Sequence, residues 1–290
     1  MKYFEVEMTI NPCTEDAQDV LSAMAGEAGF ETFEQTETGL TGYVQQSLFD
    51  QPVLDAVIDN FPFESTIITY KVREAEDRDW NEQWEQEGFE PIVVASGSRQ
   101  LVIHDGRHLL SEMPPLVIEI DAKNAFGTGT HETTRMICQA LLEMPLQGKC
   151  ILDCGSGTGI LGICALKLGA ASCLSYDIDE WSADNTRHNA VINRVDSRLE
   201  ALCGDASVLS SISTKFDVVL ANINRNILLA DMPRFVSVMA PQATLVLSGF
   251  YQSDIPMLET EANALGLVLC ATKHDGEWAM MTLKVKSELL

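Results

Sequence analysis

The sequence predicts an α/β protein: a Rossmann-like, seven-stranded domain preceded by a small ferredoxin-like α+β domain. Three observations carry this. Cys150 to Leu168, CILDCGSGTGILGICALKL, runs from a short apolar strand through glycines at Gly155, Gly157 and Gly159 into a helix-like apolar pattern. That order is how a doubly wound sheet brings backbone amides and a helix N-terminus against a nucleotide. From Leu116 onward strands and helices alternate, and the last two strands meet at Asp275-Gly276, a hairpin signal. The first 72 residues read instead as β-α-β-β-α-β. The expected domains are therefore 1–72, a linker with a helix and a hairpin over 73–115, and the sheet domain over 116–290.

In order, residues 2 to 10 alternate and read as a strand, and Thr14 before Glu15 and Asp16 marks a capped helix start. Phe30–Gln35 and Leu40–Gln45 form a hairpin, Asp50 and Pro52 open a second helix, and Ser65–Val72 is the fourth strand. In the linker, Trp80 and Trp84 are spaced to share one face of a short helix. Pro91 to Ile103 gives two apolar runs around a Gly-Ser turn, a small hairpin between the domains. Strands then follow at Leu116–Asp121, Lys149–Cys154, Ser172–Ile178, Leu199–Cys203, Phe216–Ala221, Ala243–Ser248, Val268–Lys273 and Trp278–Val285. Helices are expected at His131–Met144, Ile160–Leu168, Trp181–Asn193, Ile227–Met239 and Asp254–Leu265.

Composition narrows the function. Hydrophobic and charged fractions of 46% and 21% suit a globular chain, and no apolar run approaches the ~20 residues of a membrane helix. The N-terminal MKYFEVEMTI lacks a signal-peptide core, so a cytoplasmic location is expected. Cys150, Cys154, Cys164, Cys173, Cys203 and Cys270 sit in apolar stretches without metal-ligand spacing, which predicts buried reduced thiols and no metal. The net charge is −24, and residues 1 to 90 alone hold 21 acidic and four basic residues, a net of −17. Such a front repels nucleic acid phosphate and attracts a basic protein.

Gly157, Gly159 and Gly162 also satisfy G-x-G-x-x-G, so the pocket could take a nicotinamide dinucleotide or S-adenosyl-L-methionine. Asp153, two residues before Gly155, would repel a pyrophosphate and attract the ammonium and sulfonium of the methyl donor. Asp177, at the end of the next strand, can accept from both ribose hydroxyls. Asp205, after the third strand, could accept from an adenine amino group or cap the next segment. Asn222 places a neutral amide beside the methyl donor, able to accept from a substrate amine, whereas Asp217 reads as structural. The loop Asn124 to Thr134, NAFGTGTHETT, reads as a flap of small residues whose hydroxyls and amides face the pocket, with His131 as loop structure.

AFGTGTH followed by TT, DCGSGTGILGICALKLGA, YDID, ANI, LSGF and DWNEQW together resemble the ribosomal protein L11 methyltransferases, over the whole chain. The resemblance implies a class I methyltransferase domain behind an acidic recruiting domain. It implies S-adenosyl-L-methionine as cofactor, with Thr134, Gly155, Asp177 and Asn222 as contacts and Phe126 and Thr133 around the methyl donor. The substrate it implies is the basic ribosomal protein L11, free or on the large subunit, methylated on lysine side chains and its terminal α-amine. The chain departs from the family pattern at Glu132, at Asn224-Arg225 and in HDGRH after Ile103. The alternatives are another basic protein as substrate, an idle module that binds the cofactor and docks on ribosomes, and a dinucleotide oxidoreductase.

Overall fold

A computed structural model describes residues 3–30, 32–46, 48–63, 65–75, 88–122 and 127–286. Trp80, Trp84 and Phe126 lie outside the described residues. The chain divides into two units, Met1–Trp80 and Asn81–Leu290.

The first unit contains β1 (Tyr3–Asn11), α1 (Glu15–Ala25), β2 (Thr32–Thr36), β3 (Gly39–Gln45), α2 (Gln51–Asp59) and β4 (Ile67–Glu74). The strands form an antiparallel sheet in the order β2-β3-β1-β4. Alternation in β1 buries Val6, Met8 and Ile10 on one face, against Leu21 of α1 and Leu54 of α2. The caps lie where the sequence places them: Thr14 Oγ1 accepts from the Ala17 amide at 3.2 Å and Asp50 Oδ1 from the Val53 amide at 3.2 Å.

The second unit opens with β5 (Ile92–Ser96), β6 (Arg99–His104) and β7 (Leu116–Glu119). These make a sheet of their own, with β5 and β6 antiparallel and β6 and β7 parallel. The hairpin read as part of a linker thus shares a sheet with Leu116–Glu119. Its Val94, Leu101 and Ile103 are buried in one core with Ile118, Ile137 and Ile163. Apolar residues on the hairpin's inner face need a partner, and the strand after Leu116 supplies its edge.

There follow α3 (Glu132–Glu143), β8 (Cys150–Cys154), α4 (Ile160–Lys167), β9 (Ser172–Asp177), α5 (Glu180–Ile192), β10 (Leu199–Cys203), β11 (Phe216–Asn222), α6 (Arg225–Val238), β12 (Met239–Tyr251), α7 (Ile255–Ala264), β13 (Leu267–Asp275) and β14 (Trp278–Val285). The main sheet runs β10-β9-β8-β11-β12-β14-β13. Strands β8 to β12 are parallel and β14 is antiparallel to both neighbours, β12 and β13. Period-two alternation sends Ile151 to the core under α3 and α4, and Leu152 and Cys154 to the core under α6 and α7. Three thiols depart from the expectation: Cys150 is half-buried, and Cys203 and Cys270 are exposed, because β10 and β13 are the sheet's edges. No helix among the described residues is long and apolar enough to cross a membrane.

Candidate active site

Ligands in such sheets sit beyond the carboxyl ends of the parallel strands, and four strand ends converge there. After β8 the chain turns through Gly155, Gly157 and Gly159, with φ of +69°, +54° and +79°. These left-handed values strain any residue with a Cβ, and a Cβ on Gly155 would also run into Ile223 Cγ2. The Gly155 and Ser156 amides donate to the Tyr176 carbonyl at 2.9 and 3.1 Å, pinning the turn to β9.

Asp177 closes the same turn. Its Oδ2 accepts from the Gly157 amide at 2.8 Å and its Oδ1 from the Asp179 amide at 3.1 Å. An ionised carboxylate has about four acceptor sites, so this half-buried group keeps capacity for further hydroxyl donors. Next to it Ile178 is 71% exposed, an apolar side chain at the sheet edge that sequence patterning had placed inside a strand.

Asp153 is not where the electrostatic argument needs it. It shares the α4 face of β8 with Ile151, beneath the turn and 1% exposed, and its Oδ2 accepts from the Gly162 amide at 3.0 Å. Burial pushes its carboxyl up to about 7, against the Gly162 hydrogen bond and with a smaller push from the nearby Asp177 charge. A group so placed neither repels a pyrophosphate nor attracts a sulfonium as an open carboxylate would. The choice between ligands rests on other observations.

At the end of β11, Asn222 Nδ2 donates to Thr134 Oγ1 at 3.4 Å, joining that strand end to the first turn of α3. Asn222 Oδ1 is buried and has no hydrogen-bond partner among the described residues. Such an orphan costs about 1–3 kcal/mol, and Asp153 Oδ1 and the Tyr176 hydroxyl share that state among the described residues. Thr133 and Thr134 are each 1% exposed. His131 caps α3, with Nδ1 2.9 Å from Thr133 Oγ1, consistent with a loop-building role.

Asp205 behaves as a cap: its side chain accepts from the Ser207 amide at 2.8 Å, and the Ser207 hydrogen bonds hold its carboxyl below the usual range. Asp217 is structural, bonded to Lys149 Nζ at 2.8 Å and to the Cys150 amide at 2.9 Å. Two of the departures have local duties. Asn224 caps α6 through the Ile227 amide at 3.1 Å, and Arg225 pairs with Asp254 at 2.9 Å.

A strand-end glycine turn, a strand-end acid and an orphaned amide do not by themselves choose between a dinucleotide and a methyl donor. A family model described as "Ribosomal protein L11 methyltransferase (PrmA)" matches residues 9–286. The chain belongs to this family. A ribosomal protein L11 methyltransferase of Phocaeicola vulgatus is 43% identical over 99% of this chain and 100% of its own. One of Bacteroides thetaiotaomicron is 46% identical over 96% of this chain and 98% of its own. The crystal structure of a ribosomal protein L11 methylase from Lactobacillus delbrueckii subsp. bulgaricus superposes with a TM-score of 0.60 at 25% identity, over 69% of this chain and 100% of that one. The larger unit accordingly has the class I methyltransferase-like α/β fold with a mixed central sheet.

For this member of the L11 methyltransferase family the methyl donor is S-adenosyl-L-methionine. The residues present suit it: an unsatisfied buried acceptor at Asn222, free acceptor capacity at Asp177, and a turn that admits no side chain at Gly155. Sequence reasoning missed one contributor. Its helix over 181–193 contains Asn185, Asn189 and Asn193, whose four-residue spacing puts three amides on one face. That face is buried.

Proposed function

We propose that this chain is a protein methyltransferase that moves methyl groups from S-adenosyl-L-methionine to lysine side-chain and N-terminal amines of ribosomal protein L11. The observation that carries the reading is the orphaned Oδ1 of Asn222, a neutral acceptor beside Thr134 at the end of β11. It would orient an amine by accepting one of its N–H bonds, leaving the lone pair for attack. The bound cofactor supplies an electrophilic methyl: the amine nitrogen forms the new N–C bond as the C–S bond breaks, and S-adenosylhomocysteine leaves.

In this reading Asp177 accepts from the ribose hydroxyls, the Gly155–Gly157 backbone lies along the donor, Ile178 offers adenine an apolar face, and Asp205 stands near the adenine amino group. Thr133 and Phe126 would surround the methyl donor. Asn222 and Phe126 would touch the reacting atoms. A lysine amine with a pKa of about 10.4 is neutral in less than about one part in a thousand at pH 7. Burial against a cation lowers that value, and the proton passes to water before attack. The chain's work is then positioning, which contributes up to ~7–11 kcal/mol in favourable cases.

The front unit, read as a ferredoxin-like recruiting domain, would supply the acidic surface that draws in a basic substrate; residues 1 to 90 carry −17. Incubation with labelled S-adenosyl-L-methionine and purified L11 is expected to label L11, and peptide mass spectrometry to place the label on lysine and N-terminal amines. Label found only in RNA or small amines would reject the substrate assignment.

A further inference from the structure

We infer that Asn189 is a positioning residue for the methyl-transfer site: one buried amide that fixes the distance between the glycine turn and the root of the flap. The inference rests on the proposed methyl-donor reading of that site.

Helix α5 buries Ser182, Asn185, Thr186 and Asn189 beside two alanines. A helix packed on a sheet normally buries an apolar stripe, and burying four polar side chains costs free energy unless each is matched. Here Ser182 Oγ donates to the Asp179 carboxylate at 3.1 Å, and the other three are matched to backbone. Asn189 is fully buried; its Nδ2 donates to the Thr158 carbonyl at 2.9 Å and its Oδ1 accepts from the Asp121 amide at 3.0 Å. Thr158 lies in the glycine turn after β8, and Asp121 follows β7 where the chain enters the flap that ends at Thr133 and Thr134. One side chain therefore ties together two loops that leave different sheets and meet at the same ligand position.

Its neighbours strengthen each arm. Asn185 Nδ2 donates to the Asp121 carbonyl at 2.9 Å, on the flap side. Thr186 Oγ1 donates to the Gly157 carbonyl at 2.9 Å, on the turn side. A Cβ on Gly159 would come within 2.8 Å of Thr186 Cγ2, so the turn lies directly against this helix. The two loops also touch each other, with Thr158 Oγ1 donating to the Gly127 carbonyl at 2.5 Å. Asn193 provides the contrast. It makes the same pair of bonds, to the Glu119 amide at 3.1 Å and carbonyl at 2.7 Å, but both fall on the end of β7 and neither reaches the turn.

That contrast defines the experiment. Asn189→Ala and Asn193→Ala each remove three side-chain hydrogen bonds, two to other segments and one within the helix, so both should lower the denaturation midpoint. Only Asn189→Ala should weaken S-adenosylhomocysteine binding by about tenfold, about 1.4 kcal/mol, with KM for the methyl donor rising more than kcat falls. Asn189→Asp keeps the acceptor for the Asp121 amide but puts a carboxylate oxygen against the Thr158 carbonyl. It should reproduce the binding defect, and it serves as the test if Asn189→Ala does not fold. The inference is overturned if the Asn189 variants bind as the wild type does, or if Asn193→Ala weakens binding equally. Failure of the wild type to bind the cofactor would instead reject the reading of the site itself.

Discussion

Replacing Asp153 with asparagine should flatten a pH dependence of stability that this one carboxyl imposes. In the folded protein burial pushes the group up to about 7, whereas in the unfolded chain it titrates near the reference value of about 3.9. Between those values the native state retains a proton that the unfolded state has released. Stability therefore falls as pH rises through this window, at about 1.4 kcal/mol per pH unit, and levels off above about pH 7. Between pH 5 and pH 7 the loss is about 2–3 kcal/mol. Asparagine keeps an acceptor for the Gly162 amide and cannot ionise. The assay is urea denaturation of both proteins from pH 5 to pH 8, above the sequence pI of about 4.4, with the variant subtracted from the wild type so that other titrating groups cancel. The wild type should lose about 2–3 kcal/mol relative to the variant between pH 5 and pH 7. A flat difference, or a wild type that gains on the variant as pH rises, would refute the placement of a costly carboxylate beneath the turn.

Three further outcomes follow from the site. Asp177→Ala should weaken cofactor binding by about 1–3 kcal/mol in calorimetry, since the ribose hydroxyls lose their acceptor and the Gly157 amide its anchor; unchanged affinity would move the ribose contact elsewhere. Asn222→Ala should lower kcat/KM for L11 by about 100-fold without lowering the melting temperature, because the amide it removes carries an unsatisfied oxygen. A large fall in melting temperature would mark Asn222 as a structural residue. Gly155→Ala should destabilise by about 1–3 kcal/mol, from left-handed strain and collision with Ile223, and a melting curve matching the wild type would contradict the tight approach of those two segments.

Much of this protein was legible in its linear order. Apolar periodicity located the strands and helices of both units, Thr14 and Asp50 announced their helices, and the spacing of Gly155, Gly157 and Gly159 revealed a turn that needs positive φ. Those signals are local: a residue's backbone preference and the period of its neighbours are set within a few positions. What the tertiary structure alone decided is where each side chain spends its polar groups. Asp153 lies under the turn because α4 packs over its face of β8 and brings the Gly162 amide to it; Asp177 faces the Gly157 amide 20 residues away; Asn189 bridges partners 31 and 68 residues distant. The hairpin over 92–104 joined the strand after Leu116 for the same reason. Such pairings are chosen by the packing of distant segments and by the penalty for leaving buried amides and carbonyls unmatched, and no local pattern records which distant group will meet that demand.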